Sequence, residues 1–187
     1  MIHSVRFTAV LDTNVIYPVI IRDLLLWFAH YELYTPKWSD HIFEEWRDVM
    51  QRKGVSIEEA EKRILNVNLA FPYAFVKHYE SLIDHLELPD PKDRHVLAAA
   101  IKSDAHVIIT NNLKDFPKDI LSKYDLKVKT PDDFLTDIID LNCDIAIEAF
   151  KEMVLNKKST ELDEYEVLDG LRKSGMINTA DYLHALL

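Results

Sequence analysis

Four short stretches carry acidic, amide and hydroxyl side chains that packing does not explain: Leu11-Asp12-Thr13-Asn14, Glu44-Glu45-Trp46, Asp90-Pro91-Lys92-Asp93 and Thr110-Asn111-Asn112. Asp12 follows the apolar run Phe7–Leu11, and Asn112 comes just after Val107-Ile108-Ile109-Thr110. A run that is apolar on both faces and ends in polar residues is the pattern of a buried parallel strand. In open α/β sheets, ligands bind beyond the carboxyl ends of such strands. Asp12, Glu45, Asp93 and Asn112 therefore offer oxygens from two strand ends and two helices. Such a set suits Mg²⁺ or Mn²⁺, which prefer carboxylate and water oxygens to imidazole or thiolate. Two such ions about 3.5–4 Å apart can activate water and steady the leaving oxygen in phosphodiester hydrolysis. Carboxylates gathered without a cation raise one another's pKa and cost stability, so a cluster of this kind usually exists to hold one.

Each residue also has an ordinary reading. Asp12 could cap the helix or turn that follows it, and one of Glu44 and Glu45 is solvated helix surface. Asp90 before Pro91 reads better as an N-cap than as a ligand. Asn112 as a turn residue stands level with Asn112 as a ligand. His41 and Glu45, four apart on one helix face, could chelate zinc, but no second histidine sits at motif spacing, so a surface pair is the better reading. Ser39 reads as an N-cap rather than a nucleophile, since no Ser/His/Asp arrangement is visible.

The elements that must position these residues alternate strand and helix. Strands are predicted near 7–11, 33–35, 73–76, 106–110 and 126–128. Helices are predicted near 19–31, from Ser39 to about Lys53, from the capping-box stretch at Ser56 to about Asn68, near 80–85, from Asp90 through Lys102, and near 117–124. Thr130-Pro131-Asp132-Asp133 has the cap, proline and acidic first turn of another helix. Only helical patterns follow, with Leu162, Tyr165, Leu168 and Leu171 as a packing stripe. This order implies an α/β fold with a central parallel sheet flanked by helices, residues 1–133, and an all-helical extension, residues 134–187.

Composition narrows the classes. The chain's 187 residues suffice for one ordinary domain with an appendage. Three glycines leave no phosphate-cradling loop of the P-loop or dinucleotide type. The single cysteine, Cys143, excludes an intramolecular disulfide and a multi-cysteine zinc site, and fits a reducing cytosol. No apolar window reaches membrane-span length, so a cytoplasmic protein is expected. The net charge of −10 argues against strong nonspecific nucleic-acid binding. Its distribution softens that argument: residues 1–134 hold 17 Lys/Arg against 21 Asp/Glu, and residues 135–187 hold 5 against 11.

The four stretches in this order, with Asp-Pro-Lys-Asp-Arg-His-Val-Leu-Ala-Ala-Ala and Ile-Ile-Thr-Asn-Asn-Leu-Lys-Asp-Phe-Pro around the last two, resemble the PIN-domain family, and within it VapC-like ribonuclease toxins of toxin–antitoxin pairs. The resemblance covers roughly residues 5–133, and the tail looks like the extension of one VapC-like subgroup. It implies a PIN-like three-layer fold, with Asp12, Glu45 and Asp93 at the three acidic ligand positions and Thr13 and Thr110 at supporting hydroxyl positions. Glu45, directly before Trp46, fits the pattern better than Glu44. Asn112 stands where most members carry a fourth acid; this weakens a second metal position, and Asp115 three residues on could compensate. Lys92, Arg94 and Lys114 could touch RNA phosphates, although solvated charge is the plainer reading. The implied activity is metal-dependent cleavage of single-stranded RNA to a 5′-phosphate and a 3′-hydroxyl. The implied partners are an RNA substrate, a cognate antitoxin and a second copy in a homodimer. Two other classes stay open: a PIN-fold binding module of weak catalytic power, motivated by Asn112 and the acidic tail, and a hydrolase using Asp12 as nucleophile. The latter usually needs a second acid where Asn14 stands.

Overall fold

The computed structural model describes residues 7–157 and 162–187. Four short parallel strands, β1 (Thr8–Leu11), β2 (Thr35–Lys37), β3 (Val107–Ile109) and β4 (Lys127–Lys129), form one sheet in the order β2-β1-β3-β4. The two central strands, β1 and β3, are Thr-Ala-Val-Leu and Val-Ile-Ile, with every residue buried except Thr8. Helices on both faces leave no room for polar alternation in such strands. The edge strands β2 and β4 carry Pro36, Lys37, Lys127 and Lys129, residues that discourage further pairing.

The chain passes from β1 outward to β2 on one side, then returns to place β3 on the other side of β1. The order reverses between β1 and β3, and open α/β sheets bind ligands at the carboxyl ends of the strands at such a point. Register aligns Leu11 with Ile109. Asp12 and Thr110 therefore leave adjacent strands at the same level, and the Asp12 N–H still donates to the Ile109 carbonyl (3.1 Å).

Helices α1 (Thr13–Ile16) and α2 (Val19–His30) follow β1, and α3 (Asp40–Arg52) and α4 (Ile57–Ala70) follow β2. Ser39 caps α3 by accepting from the Ile42 N–H, and Ser56 caps α4 by accepting from Glu59. Helix α3 turns Ile42, Phe43, Trp46 and Met50 into the core. Helices α5 (Glu80–Ile83) and α6 (Arg94–Lys102) lead to β3, and α6 lays Val96–Ala100 over β1 and β3. Helix α7 (Lys118–Leu121) precedes β4.

Three predicted elements differ. The second strand lies at Thr35–Lys37 rather than 33–35, because the Leu33 N–H is spent on the Phe28 carbonyl at the end of α2. The strand expected at 73–76 shrinks to one bridge between Trp38 and Phe75, since Ser39 already caps a helix and no further strand residues are left to pair. The helix from Asp90 opens as a 3₁₀ turn, Pro91–Asp93, before α6 begins at Arg94.

Helices α8 (Pro131–Leu141), α9 (Cys143–Leu155), α10 (Glu164–Lys173) and α11 (Ile177–Leu186) close the chain. They do not stand apart. Phe134 meets Tyr34 edge-to-face at 5.0 Å, α9 packs on α2, and the buried residues of sheet and tail form one core. Gly170 of α10 approaches α2 so closely that a Cβ there would lie 2.8 Å from the Ile20 Cδ1. In the expected stripe of α10, Leu168 and Leu171 are buried, but Tyr165 is 55% exposed and Val167 takes its place. Tyr165 sits at the rim, edge-on to His184.

Candidate active site

Asp12 ends β1 and begins α1. Its extended backbone makes it the N-cap of α1, and its Oδ1 accepts from the Thr13 N–H at 2.7 Å. The capping reading of Asp12 is therefore correct, and it leaves the second oxygen for other partners. Oδ2 accepts from the Asn14 amide (2.6 Å) and from the Thr110 hydroxyl (2.7 Å). Thr110 is fully buried and acts as a hub. Its Oγ1 also accepts from Asn14 Nδ2 (2.8 Å) and from the Asn112 N–H (3.0 Å). Asn14 Oδ1 accepts from the Asn111 N–H (2.9 Å), so one amide ties the two strand ends together.

Glu45 reaches the same end of the sheet from α3, whereas Glu44 faces solvent. The Thr13 hydroxyl donates to Glu45 Oε2 (2.6 Å), and His95 Nε2 donates to Oε1 (3.1 Å). His95, on α6, is buried and stacks on His41 at 5.2 Å between ring centres. His41 Nδ1 in turn hydrogen-bonds the Tyr79 hydroxyl, and among the described residues the imidazole that bonds Glu45 is that of His95 rather than His41. Asp90 caps the 3₁₀ turn by accepting from the Lys92 N–H (2.9 Å), which frees Asp93 from that duty. Asp93 makes no capping bond of its own to α6, and its Oδ2 is buried without a hydrogen-bond partner among the described residues.

These placements separate the three carboxylates electrostatically. Burial pushes Asp12 above the usual carboxylate range against the bonds from Thr110 and Thr13, with the Glu45 charge adding to the rise. Burial also raises Glu45, but the bonds from His95 and Thr13 outweigh it and hold that carboxyl below its ordinary value. Asp93 has no such relief: burial first, then the charges of Asp12, Asp90, Asp115 and Glu45, push it up to about 6. A buried, unpartnered oxygen among four like charges is a costly arrangement that a cation would relieve. Among the described residues, no three His, Cys, Asp or Glu side chains already stand in an ion-holding arrangement.

Asn112 begins the 3₁₀ turn Leu113–Asp115 and points its amide at Asp115 Oδ2. Its backbone is tied to Thr110, while its side chain serves the turn. Asn14 and His95 carry roles that residue type and spacing did not assign. Both lie inside the stretches quoted above, but their partners stand 96 and 50 residues away in sequence.

Residues 8–114 match the PIN domain family model, more than half of the chain. The chain belongs to the PIN-domain family. Residues 131–185 match a second model, the VapC50 C-terminal domain. A curated protein of Mycobacterium tuberculosis (strain ATCC 25618 / H37Rv), named "Putative ribonuclease VapC50", is 45% identical over 84 residues, which cover 43% of this chain and 47% of that protein. The aligned stretch thus spans about half the length of that relative. No solved structure matches the chain. The PIN-type parallel sheet with flanking helices and a helical C-terminal region is as the resemblance implied. Among the described residues, no helix is long and apolar enough to cross a membrane.

Proposed function

We propose that this PIN-family chain is a divalent-metal-dependent endoribonuclease acting on single-stranded RNA, and the toxin of a toxin–antitoxin pair. The observation that carries the reading is Asp93, a partly buried carboxylate whose Oδ2 is buried without a partner among the described residues and which feels the charges of Asp12 and Glu45. The family and the ribonuclease name of the relative support the substrate class.

Asp12, Glu45 and Asp93 would hold Mg²⁺ or Mn²⁺, with Asn112 completing the set directly or through water. Rotation of Asp93 and Glu45 side chains would close the set, because Glu45 now spends its oxygens on Thr13 and His95. A divalent ion held there would supply neutralisation of charge on the scissile phosphate and a more nucleophilic water. The chain's own residues do the positioning. Thr110, Asn14 and the Thr13 N–H aim the Asp12 carboxylate. Thr13 and His95 keep Glu45 ionised and aligned, as partners behind a ligand do in metal sites. The products expected are a 5′-phosphate and a 3′-hydroxyl. We assign residues 1–133 to the nuclease and 134–187 to the extension, with α8 bridging the two. A cytoplasmic setting, a cognate antitoxin and a homodimer complete the proposal. Exposed Leu65, Leu69 and Tyr73 around the end of α4 are apolar surface available for such contacts.

Cleavage of a single-stranded RNA with Mn²⁺ tests the activity. Asp12→Asn should lower the rate about 100-fold or more; equal cleavage by both proteins refutes the assignment. A binding module without catalysis is the second reading, favoured by the Asn112 amide turned toward Asp115. No heat of Mn²⁺ binding, together with tight capture of a protein partner, would select it.

A further inference from the structure

Immediately beyond Asn112 the surface opens into a groove of about 530 Å³, within the roughly 300–1,000 Å³ of small-ligand clefts. One wall is the turn and helix that follow β3, contributing Leu113, Lys114, Pro117 and Lys118; Val128 of edge strand β4 forms part of the floor. The other wall comes from the tail, through α8 and Asn178 at the start of α11. The tail wall is fixed, because the Asp132 carboxylate accepts from the Asn178 (3.1 Å) and Thr179 (2.8 Å) N–H groups.

The charge of this wall runs against the rest of the chain. Residues 113–129 hold five lysines and three aspartates, in a protein of net charge −10. Lys129 is spent on Asp137 across the groove. Lys114 and Lys118 make no ion pair among the described residues and are exposed. Of the two carboxylates that line the opposite wall, Asp137 is taken by Lys129 and Asp133 is bonded by the Thr130 hydroxyl, so two free ammonium groups beside Leu113 and Val128 offer cations for phosphate and apolar surface for a base. The groove also adjoins the carboxylates: Leu113 on its wall directly follows Asn112, whose N–H donates to the Thr110 hydroxyl that is bonded to Asp12.

We infer that the groove between the β3–β4 connection and the C-terminal helices binds the RNA strand next to the cleaved phosphate, with Lys114 and Lys118 on its backbone. The extension thereby forms one wall of a substrate channel. This rests on the ribonuclease reading given above, and the test separates the two.

The probe is a fluorescein-labelled 12-nucleotide single-stranded RNA, bound by the full chain carrying Asp12→Asn to prevent cutting and followed by anisotropy. Adding Lys114→Ala and Lys118→Ala should weaken binding about tenfold and reduce the slope of log affinity against log salt by about 1.4, two phosphates' worth. Lys53→Ala with Lys62→Ala, exposed lysines on the α3–α4 side, should change neither. Unchanged affinity and slope in the groove variant, equal losses in both variants, or no RNA binding at all would overturn the inference. So would loss of binding to a polyglutamate peptide with RNA binding intact, which would indicate an acidic protein partner. Cutting by the wild-type chain is measured in parallel. Cleavage with a lysine-independent KM removes the groove and leaves the enzyme; lysine-dependent binding without cleavage keeps the groove and removes the enzyme.

Discussion

Asp93 costs the metal-free fold energy, because one of its oxygens is buried without a partner and other carboxylates lie near it. In the unfolded chain it titrates near 3.8, in the folded one at about 6. Between those values the folded protein keeps a proton that the unfolded chain has released, so stability falls as pH rises from about 4 to 6. The sign is opposite to that of an ion-paired aspartate. Asp93→Asn should therefore stabilise the metal-free protein at pH 7.5 by about 1 kcal/mol, allowing for solvent screening of a half-exposed group. That is about 3 °C in Tm, and the gain should vanish near pH 4. A lower Tm for the variant at pH 7.5 would contradict it. Thr110→Val is the converse case. It strips the hydroxyl that serves Asp12, Asn14 and the Asn112 N–H, leaving buried polar groups unpaired at a cost of about 1–3 kcal/mol, readable in a urea titration. Asp12 at a strand end and Asp93 at a helix start draw notice from residue type, whereas Glu45, inside α3, is told from Glu44 only by the family resemblance. Asn14 and His95 are not identifiable that way, because their value arises only when β1 meets β3 and α3 meets α6.

Elements with local signals read well from sequence, and those that depend on partners do not. Ser39, Ser56 and Thr130 cap the helices predicted to start at them, because the capping side chain and its N–H lie within three residues. The strand expected at 73–76 fails because pairing is decided elsewhere: Trp38 offers one residue before α3 begins. The tail adds a cap that no local pattern signals. Asp132, in the first turn of α8, accepts from the N–H groups that open α11, 46 and 47 residues on. Asp132→Ala should cost about 0.5–2 kcal/mol, seen as a lower midpoint in urea. No change in the midpoint would show that the cap contributes nothing.

For the molecule as a whole, the chain divides by composition but not by packing. The acidic tail looks separable in sequence, yet Phe134 packs on Tyr34, α9 lies along α2, and Lys157 reaches Asp23 (3.4 Å). One continuous core predicts a single cooperative unfolding transition, with α2 and α9 amides protected to the same extent in hydrogen exchange. Earlier exchange throughout α8–α11 would show that the tail unfolds separately. This packing carries Asp12, Glu45 and Asp93 on three separate elements, and their convergence on one cation is the proposal's central claim. Manganese titration followed by electron paramagnetic resonance at pH 7.5 tests that convergence most directly. The wild-type chain should take up Mn²⁺, and Asp93→Asn should bind it at least about tenfold more weakly. Equal uptake by both proteins, or none by either, would contradict a shared cation at these three carboxylates.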